Sequence, residues 1–184
     1  MMGLQWHRLR ERLDALSLPD GIAIDPRRPL LHVDIERQRL SLLSPVNGRI
    51  DEYPVSTAAN GPGQLEGSFC TPTGWHRICD KIGAGEPLGR VFRGRRPTGD
   101  CVSPEQYDGE NDVIASRILR LEGLEPGHNR GGNCDSRARY IYLHGTPDEA
   151  RIGRPVSQGC IRLRNADIVE LFDRLRVGDA LLIE

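Results

Sequence analysis

The chain has 184 residues, 38% of them hydrophobic and 28% charged, with a formal net charge of −1. That is enough for one domain with a core of its own, and too balanced in charge for a protein whose main partner is a nucleic-acid backbone. The 21 glycines and 13 prolines, set against 5% aromatic residues, predict many turns and short strands.

In chain order, a helix is expected over 4–16, because Leu4, Leu9, Leu13 and Leu16 fall near one face with charges elsewhere. No apolar run and no small-residue cleavage site follow its arginines. No window reaches the roughly 20 apolar residues of a membrane span. Taken as it stands, the chain is expected in the cytoplasm, with the periplasm as the alternative if the start was trimmed. Leu31, Val33 and Ile35 alternate with His32, Asp34 and Glu36, the pattern of a half-buried strand. Residues 37–44 are expected to continue it as a hairpin, 48–57 to form another strand, and 58–74 to form a turn-rich loop.

Strand alternation returns over 74–82 and then breaks at glycines. From Glu86 to Gly109, Arg90, Arg93, Arg95 and Arg96 lie among Gly and Pro in a long surface loop or hairpin. Two readings stay open for them, a solvated face or contact with an anion, and a carboxylate-rich ligand suits the near-zero net charge better than nucleic acid does. Residues 112–124 are ambiguous by pattern, but Val113 and Ile114 at the start and the turn residues that follow favour a strand. A clearer strand is expected over 137–146, with Ile141 and Leu143 on one face and Tyr140, Tyr142 and His144 on the other. The strongest helix pattern runs from 164 to 179. Asn165 is its expected cap, Asp167 suits its first turn, and Ile168, Leu171, Phe172 and Leu175 form its stripe. Residues 180–183 close the chain as a strand.

The five cysteines (70, 79, 101, 134 and 160) are odd in number and form no CxxC pair, which fits a reduced compartment better than a disulfide framework. The glycine-rich stretches 61–67 and 83–89 each carry one residue too many for a dinucleotide fingerprint. His76 and Cys79 lie three apart in a strand and so face opposite sides, with no second ligand pair near them, and no metal is expected. That leaves Cys160, in the stretch RPVSQGCIRLRN. Composition alone makes a cysteine beside Ile161 a small buried hydrophobe. Its neighbours point the other way. Gly159 permits close backbone approach, and the following helix and Arg162 favour a thiolate. A free thiol of pKa about 8.5 is only slightly ionised at neutral pH, so a base is needed, and His144 at a strand end is the candidate.

These residues form a block: His144-Gly145-Thr146, a loop with Gly153, then Ser157-Gln158-Gly159-Cys160-Ile161-Arg162 and a helix. The block resembles the signature of the L,D-transpeptidase catalytic domain, the YkuD-type family. Thr71-Pro72-Thr73-Gly74 is similar to that family's earlier Thr-Pro-x-Gly segment. The resemblance covers 29–184 and leaves 1–28 as an N-terminal helical extension. At position 158 the family often has His, and here the residue is Gln.

The resemblance implies a mainly β fold with some α: a YkuD-like β-sandwich of mixed sheets, with a helix after the catalytic Cys loop and an N-terminal helix. It implies Cys160 as nucleophile, His144 as base and the Gly145 carbonyl as the group that orients the imidazole. The amides of Gln158, Gly159 and Cys160 are the implied oxyanion donors, with Ser157 ordering the turn. Tyr142, Thr146 and Arg162 are expected on the substrate side, Arg162 either placing a carboxylate or bracing the loop. The reaction implied is attack on the bond between the L centre of diaminopimelate and D-alanine in peptidoglycan stem peptides. A tetrapeptide or muropeptide is the expected partner, with no cofactor, no nucleic acid and no membrane; oligomeric state is open. With water as acceptor the product is that of a cytoplasmic L,D-carboxypeptidase acting on recycled tetrapeptides. An amine acceptor gives transpeptidation, as cross-linking or D-amino-acid exchange. A non-catalytic muropeptide-binding module and a redox-sensing thiol are the readings from other classes. Residues 86–135 separate the two family blocks, which leaves open a lid over the cleft.

Overall fold

The computed structural model describes residues 2–110 and 112–184, with side chains from residue 5 onward. Helix α1 (Met2–Asp14) buries Leu9 and Leu13 against Leu30, Leu43, Trp75 and Leu182, with Trp6 and Leu16 at the margin. The side chain of Leu4 lies outside the described residues.

Strands β1 (Leu30–Asp34), β2 (Arg39–Leu43) and β3 (Ile50–Pro54) form an antiparallel meander. The half-buried strand expected at β1 is covered on both faces. Leu31 and Val33 enter the main core, and Leu30 on the other face lies under α1. The remaining strands are β4 (Gly74–Ile82), β5 (Arg90–Arg93), β6 (Arg96–Cys101), β7 (Ile114–Gly123), β8 (Tyr142–Thr146), β9 (Ile161–Arg164) and β10 (Ala180–Ile183). The arginine-rich stretch is therefore a hairpin, and the ambiguous 112–124 stretch is a strand.

A single ten-stranded mixed sheet contains all of them, in the order β3-β2-β1-β10-β4-β7-β5-β6, with β8 joined to β7 and β9 joined to β8. The sheet forks at β7. One edge of β7 carries β8, and the other is shared end to end by β4 and β5. The expected layers thus come from one sheet that curls round its own core. Helix α2 (Asn165–Arg174) closes that core, packing Ile168, Leu171 and Phe172 among Leu119, Leu121, Leu143, Ile161 and Leu163. Among the described residues, no helix is long and apolar enough to cross a membrane.

Two local expectations are corrected. Residues 136–140 form a turn, and Tyr140 sits there at φ 58°, so the strand begins only at Tyr142 and Tyr140 does not share its face. Asn165 is not the cap of α2 but its first helical residue. Its side chain turns inward, donating to the Thr146 carbonyl (3.1 Å) and accepting from Ser116 Oγ (2.6 Å). The cap comes from Glu149, whose carboxylate accepts the Asn165 N–H at 2.8 Å.

Candidate active site

Strands β8 and β9 run parallel, with Leu143 opposite Ile161 and His144 opposite Arg162. That register brings Cys160, just before β9, beside Tyr142. Alternation sends Leu143 and Ile161 into the main core. Tyr142 faces the other way, into a small cluster with Phe92 and Ile118, and Cys160 packs against it.

His144 is buried, and its Nδ1 lies 2.8 Å from the Gly145 carbonyl. A carbonyl can only accept, so Nδ1 carries a proton, and in the neutral imidazole Nε2 keeps its lone pair. Burial lowers the pKa of this imidazole, while Asp112 and the Gly145 carbonyl oppose the shift. The position after it must be glycine for space: a Cβ there would lie 2.6 Å from the Ala115 carbonyl oxygen and 2.7 Å from Asn165 Oδ1.

The Cys160 thiol donates to the Tyr140 carbonyl at 3.4 Å. Burial pushes it up to about 12, against the smaller downward pull of the Tyr142 amide, Arg162 and Arg139. The expected thiolate-favouring surroundings are therefore corrected. Arg162 is neutralised by two carboxylates, Asp112 at 3.0 Å and Asp148 at 3.4 Å, and the start of α2 is already occupied by Glu149. Burial thus favours the neutral form of both groups, thiol and imidazole.

The turn before Cys160 is held from both sides. Ser157 Oγ donates to the Cys160 carbonyl (2.6 Å) and accepts the Gly159 N–H (3.2 Å). This narrows the expected set of oxyanion amides, because that of Gly159 is engaged by Ser157. Thr71 Oγ1 donates to the Gly159 carbonyl (3.0 Å) and accepts the Ala58 N–H (2.9 Å). In a trans peptide the C=O and the next N–H point in opposite directions. Holding the Gly159 carbonyl therefore aims the Cys160 N–H away from Thr71. Gly159 itself adopts φ 127°, a conformation that suits glycine.

The residues expected on the substrate side separate. Arg162 is almost fully buried and reaches Asp112, Asp148 and, at 3.4 Å, the Val156 carbonyl, so of its two expected roles the geometry matches bracing. Thr146 is buried, and its hydroxyl accepts the Asp148 N–H at 3.1 Å, which supports the turn. Tyr142 is buried too, with its hydroxyl accepting from Arg95 at 3.2 Å. Gln158 is exposed between two hollows. One, of about 200 Å³, is lined by Phe69, Arg139 and Tyr140, and the other, of about 430 Å³, by Asn60, Phe69 and Val156. A hollow of about 450 Å³ near the start of α2 holds neither Cys160 nor His144.

His76 is buried, bonded to Ser136 Oγ (2.9 Å) and the Gly74 carbonyl (3.0 Å). Among the described residues, no group of three His, Cys, Asp or Glu side chains is placed to hold a metal ion. Sequence reasoning missed Thr71 and Asp112 as parts of the site, and left Arg95 in an arginine-rich stretch with two readings open. The Thr-Pro-x-Gly segment was a signal for the first; the second carried none.

Residues 28–183 match the family model of the L,D-transpeptidase catalytic domain, YkuD. The chain belongs to that family. The probable L,D-transpeptidase YcfS of Escherichia coli is 29% identical over 163 residues, covering 88% of this chain and 44% of that protein. The putative L,D-transpeptidase YqjB of Bacillus subtilis is 46% identical over 96 residues, covering 46% of this chain and 53% of that protein. The chain thus spans about half the length of these curated relatives. Among solved structures, Bd1075 of Bdellovibrio bacteriovorus has the same fold at TM-score 0.52 and 20% identity, over 91% of this chain and 52% of that one. An L,D-transpeptidase of Mycobacterium tuberculosis does so at TM-score 0.50 and 15% identity, over 85% and 57%.

Proposed function

We propose that this domain cleaves the L,D bond between diaminopimelate and D-alanine in tetrapeptide stems through a Cys160 acyl-enzyme, and passes the acyl group to water. One observation supports the acyl-enzyme step; the choice of water as acceptor rests on the test below. A neutral imidazole, locked through Nδ1 to the Gly145 carbonyl, stands on the strand beside the one that follows the cysteine. As Sγ attacks the carbonyl carbon, Nε2 takes the thiol proton, and the C–S bond forms without a free thiolate. The amides of Cys160 and Gln158 stabilise the oxyanion. The imidazolium then protonates the leaving D-alanine amine, the C–N bond breaks, and a water activated by the same Nε2 releases a tripeptide.

A disaccharide tetrapeptide incubated with the protein, with and without an added D-amino acid, tests this by product mass. Release of tripeptide and D-alanine is the expected result. Unchanged tetrapeptide in both arms would refute the reading. A dominant D-amino-acid-exchanged product would replace hydrolysis by transpeptidation. The second hollow beside Gln158, about 430 Å³ and open to solvent, favours that outcome as room for an acceptor amine.

Under this reading Thr71 is a positioning residue, because it acts through the peptide plane of Gly159 and Cys160. Thr71→Val is expected to lower kcat about 10²-fold, the order of losing one oxyanion donor, with little change in KM. Thr71→Ser keeps the hydroxyl and is expected to recover most of the rate. Equal losses in both variants would assign Thr71 to packing instead.

A further inference from the structure

The ion pairs around the site are unevenly distributed. Arg162 is held between two carboxylates. Among the described residues, Arg95, Arg120 and Arg139, around the Tyr140 whose carbonyl accepts the Cys160 thiol, have none. Arg95, at the tip of the β5–β6 hairpin, donates to the Tyr142 hydroxyl at 3.2 Å and lies 5.0 Å over the Tyr140 ring. Arg120 lies 5.7 Å from the same ring; one of its nitrogens donates to the Arg137 carbonyl at 3.0 Å, and its buried Nε has no partner. Arg139 is held by the carbonyls of Gly63, Gln64 and Cys70, and lines the hollow beside Gln158. Among the described residues, none of these three guanidinium groups has a carboxylate within ion-pair distance.

Burial without a carboxylate partner carries a cost: it disfavours the charged form of Arg139. An incoming anion removes that cost, and a planar guanidinium fits a carboxylate bidentately. Arg95 follows Gly94 in the two-residue hairpin turn, both at positive φ (54° and 66°), and its guanidinium turns back over Tyr140 and Tyr142. Its hairpin neighbours Arg93 and Arg96 are exposed.

We infer that Arg95 and Arg120, with Arg139 behind them, form a subsite for a carboxylate of the peptide that acylates Cys160. The inference rests on the proposed function for the identity of that peptide. A stem ending in diaminopimelyl-D-alanine has two carboxylates flanking the scissile carbonyl: the diaminopimelate side chain and the D-alanine terminus. Either supplies the chemistry, and amidating each in turn tells them apart.

The test measures binding, so that it does not depend on turnover. The full-length Cys160→Ala protein is titrated calorimetrically with three tetrapeptides: the free acid, its side-chain amide and its C-terminal amide. One amide is expected to bind about tenfold more weakly than the free acid. Adding Arg95→Gln is expected to weaken the free acid about tenfold and to leave that amide unchanged. Arg120→Gln gives the same comparison should the hairpin variant unfold. Equal binding of all three peptides, a uniform loss in the variants or no binding at all overturns the subsite. Wild-type turnover is followed in parallel. Turnover with carboxylate-blind binding ends the subsite and spares the function, and carboxylate-dependent binding without turnover does the reverse.

Discussion

Cys160→Ala is expected to fold, to bind tetrapeptide and to release no D-alanine, a loss on the order of 10⁴-fold or more in kcat. The side chain is half-buried against Tyr142, so losing one sulfur costs about 1 kcal/mol of packing and not the fold. The nearby Ser157 hydroxyl, which could form only an oxygen ester, is committed to the Cys160 carbonyl at 2.6 Å. Intact-protein mass after incubation with substrate checks this: a peptidyl adduct on the wild type, none on the variant. Tripeptide release by Cys160→Ala at a tenth of the wild-type rate would remove Cys160 from the mechanism. The same thiol, pushed up to about 12, is expected to be alkylated by iodoacetamide about 10³-fold more slowly at pH 8 than a free cysteine, with the rate still climbing past pH 9.

The parts of this site that were legible in the sequence are local ones. Period-two alternation located Leu143 and His144 on opposite faces of one strand, whereas the short strand β9 after Cys160 and its parallel pairing were not read from the sequence. What stayed hidden depends on residues brought from elsewhere. Arg162, two residues after Cys160, reads as free positive charge, but it is paired with Asp112 and Asp148, which only the folded chain brings to it. The pattern of tyrosines suggested that Tyr140 continues the strand. Alternation cannot report the turn at 136–140, which carries the Tyr140 carbonyl to the thiol. Asn165 has a capping side chain at a helix start, but the parallel pairing of β8 and β9 draws it under Thr146, where its amide is used to join two strands. The fork at β7 has the same character: strand propensity marks each strand, and nothing in one strand states that it will have three partners.

His144→Ala is expected to lower kcat/KM by 10²- to 10⁴-fold and to abolish the acid limb of its pH profile. The sign follows from burial. Desolvation lowers the pKa of this imidazole, so the reactive neutral form persists below the ordinary histidine value of about 6.5. Wild-type kcat/KM is therefore expected to fall to half only below pH 6.5, and to stay level on the alkaline side until groups other than the Cys160 thiol ionise. An imidazolium–thiolate pair would instead give fast alkylation at pH 6. Acid unfolding has to be separated from this limb, because His76 is lowered to about 4 by the same cause. Its neutral form contributes stability that is present above pH 6.5 and lost as the pH falls toward 4, about 3 kcal/mol in all. Fluorescence of the buried Trp75 reports that loss independently of turnover. Asp112 supplies the decisive variant. Its carboxylate opposes the burial of His144 and also pairs with Arg162, whose charge lowers the same pKa. Asp112→Asn removes the first effect and unmasks the second, so the acid limb is expected to move further down while the protein stays folded. A limb that moves up, or stays where it was, would mean that His144 is not the group it reports.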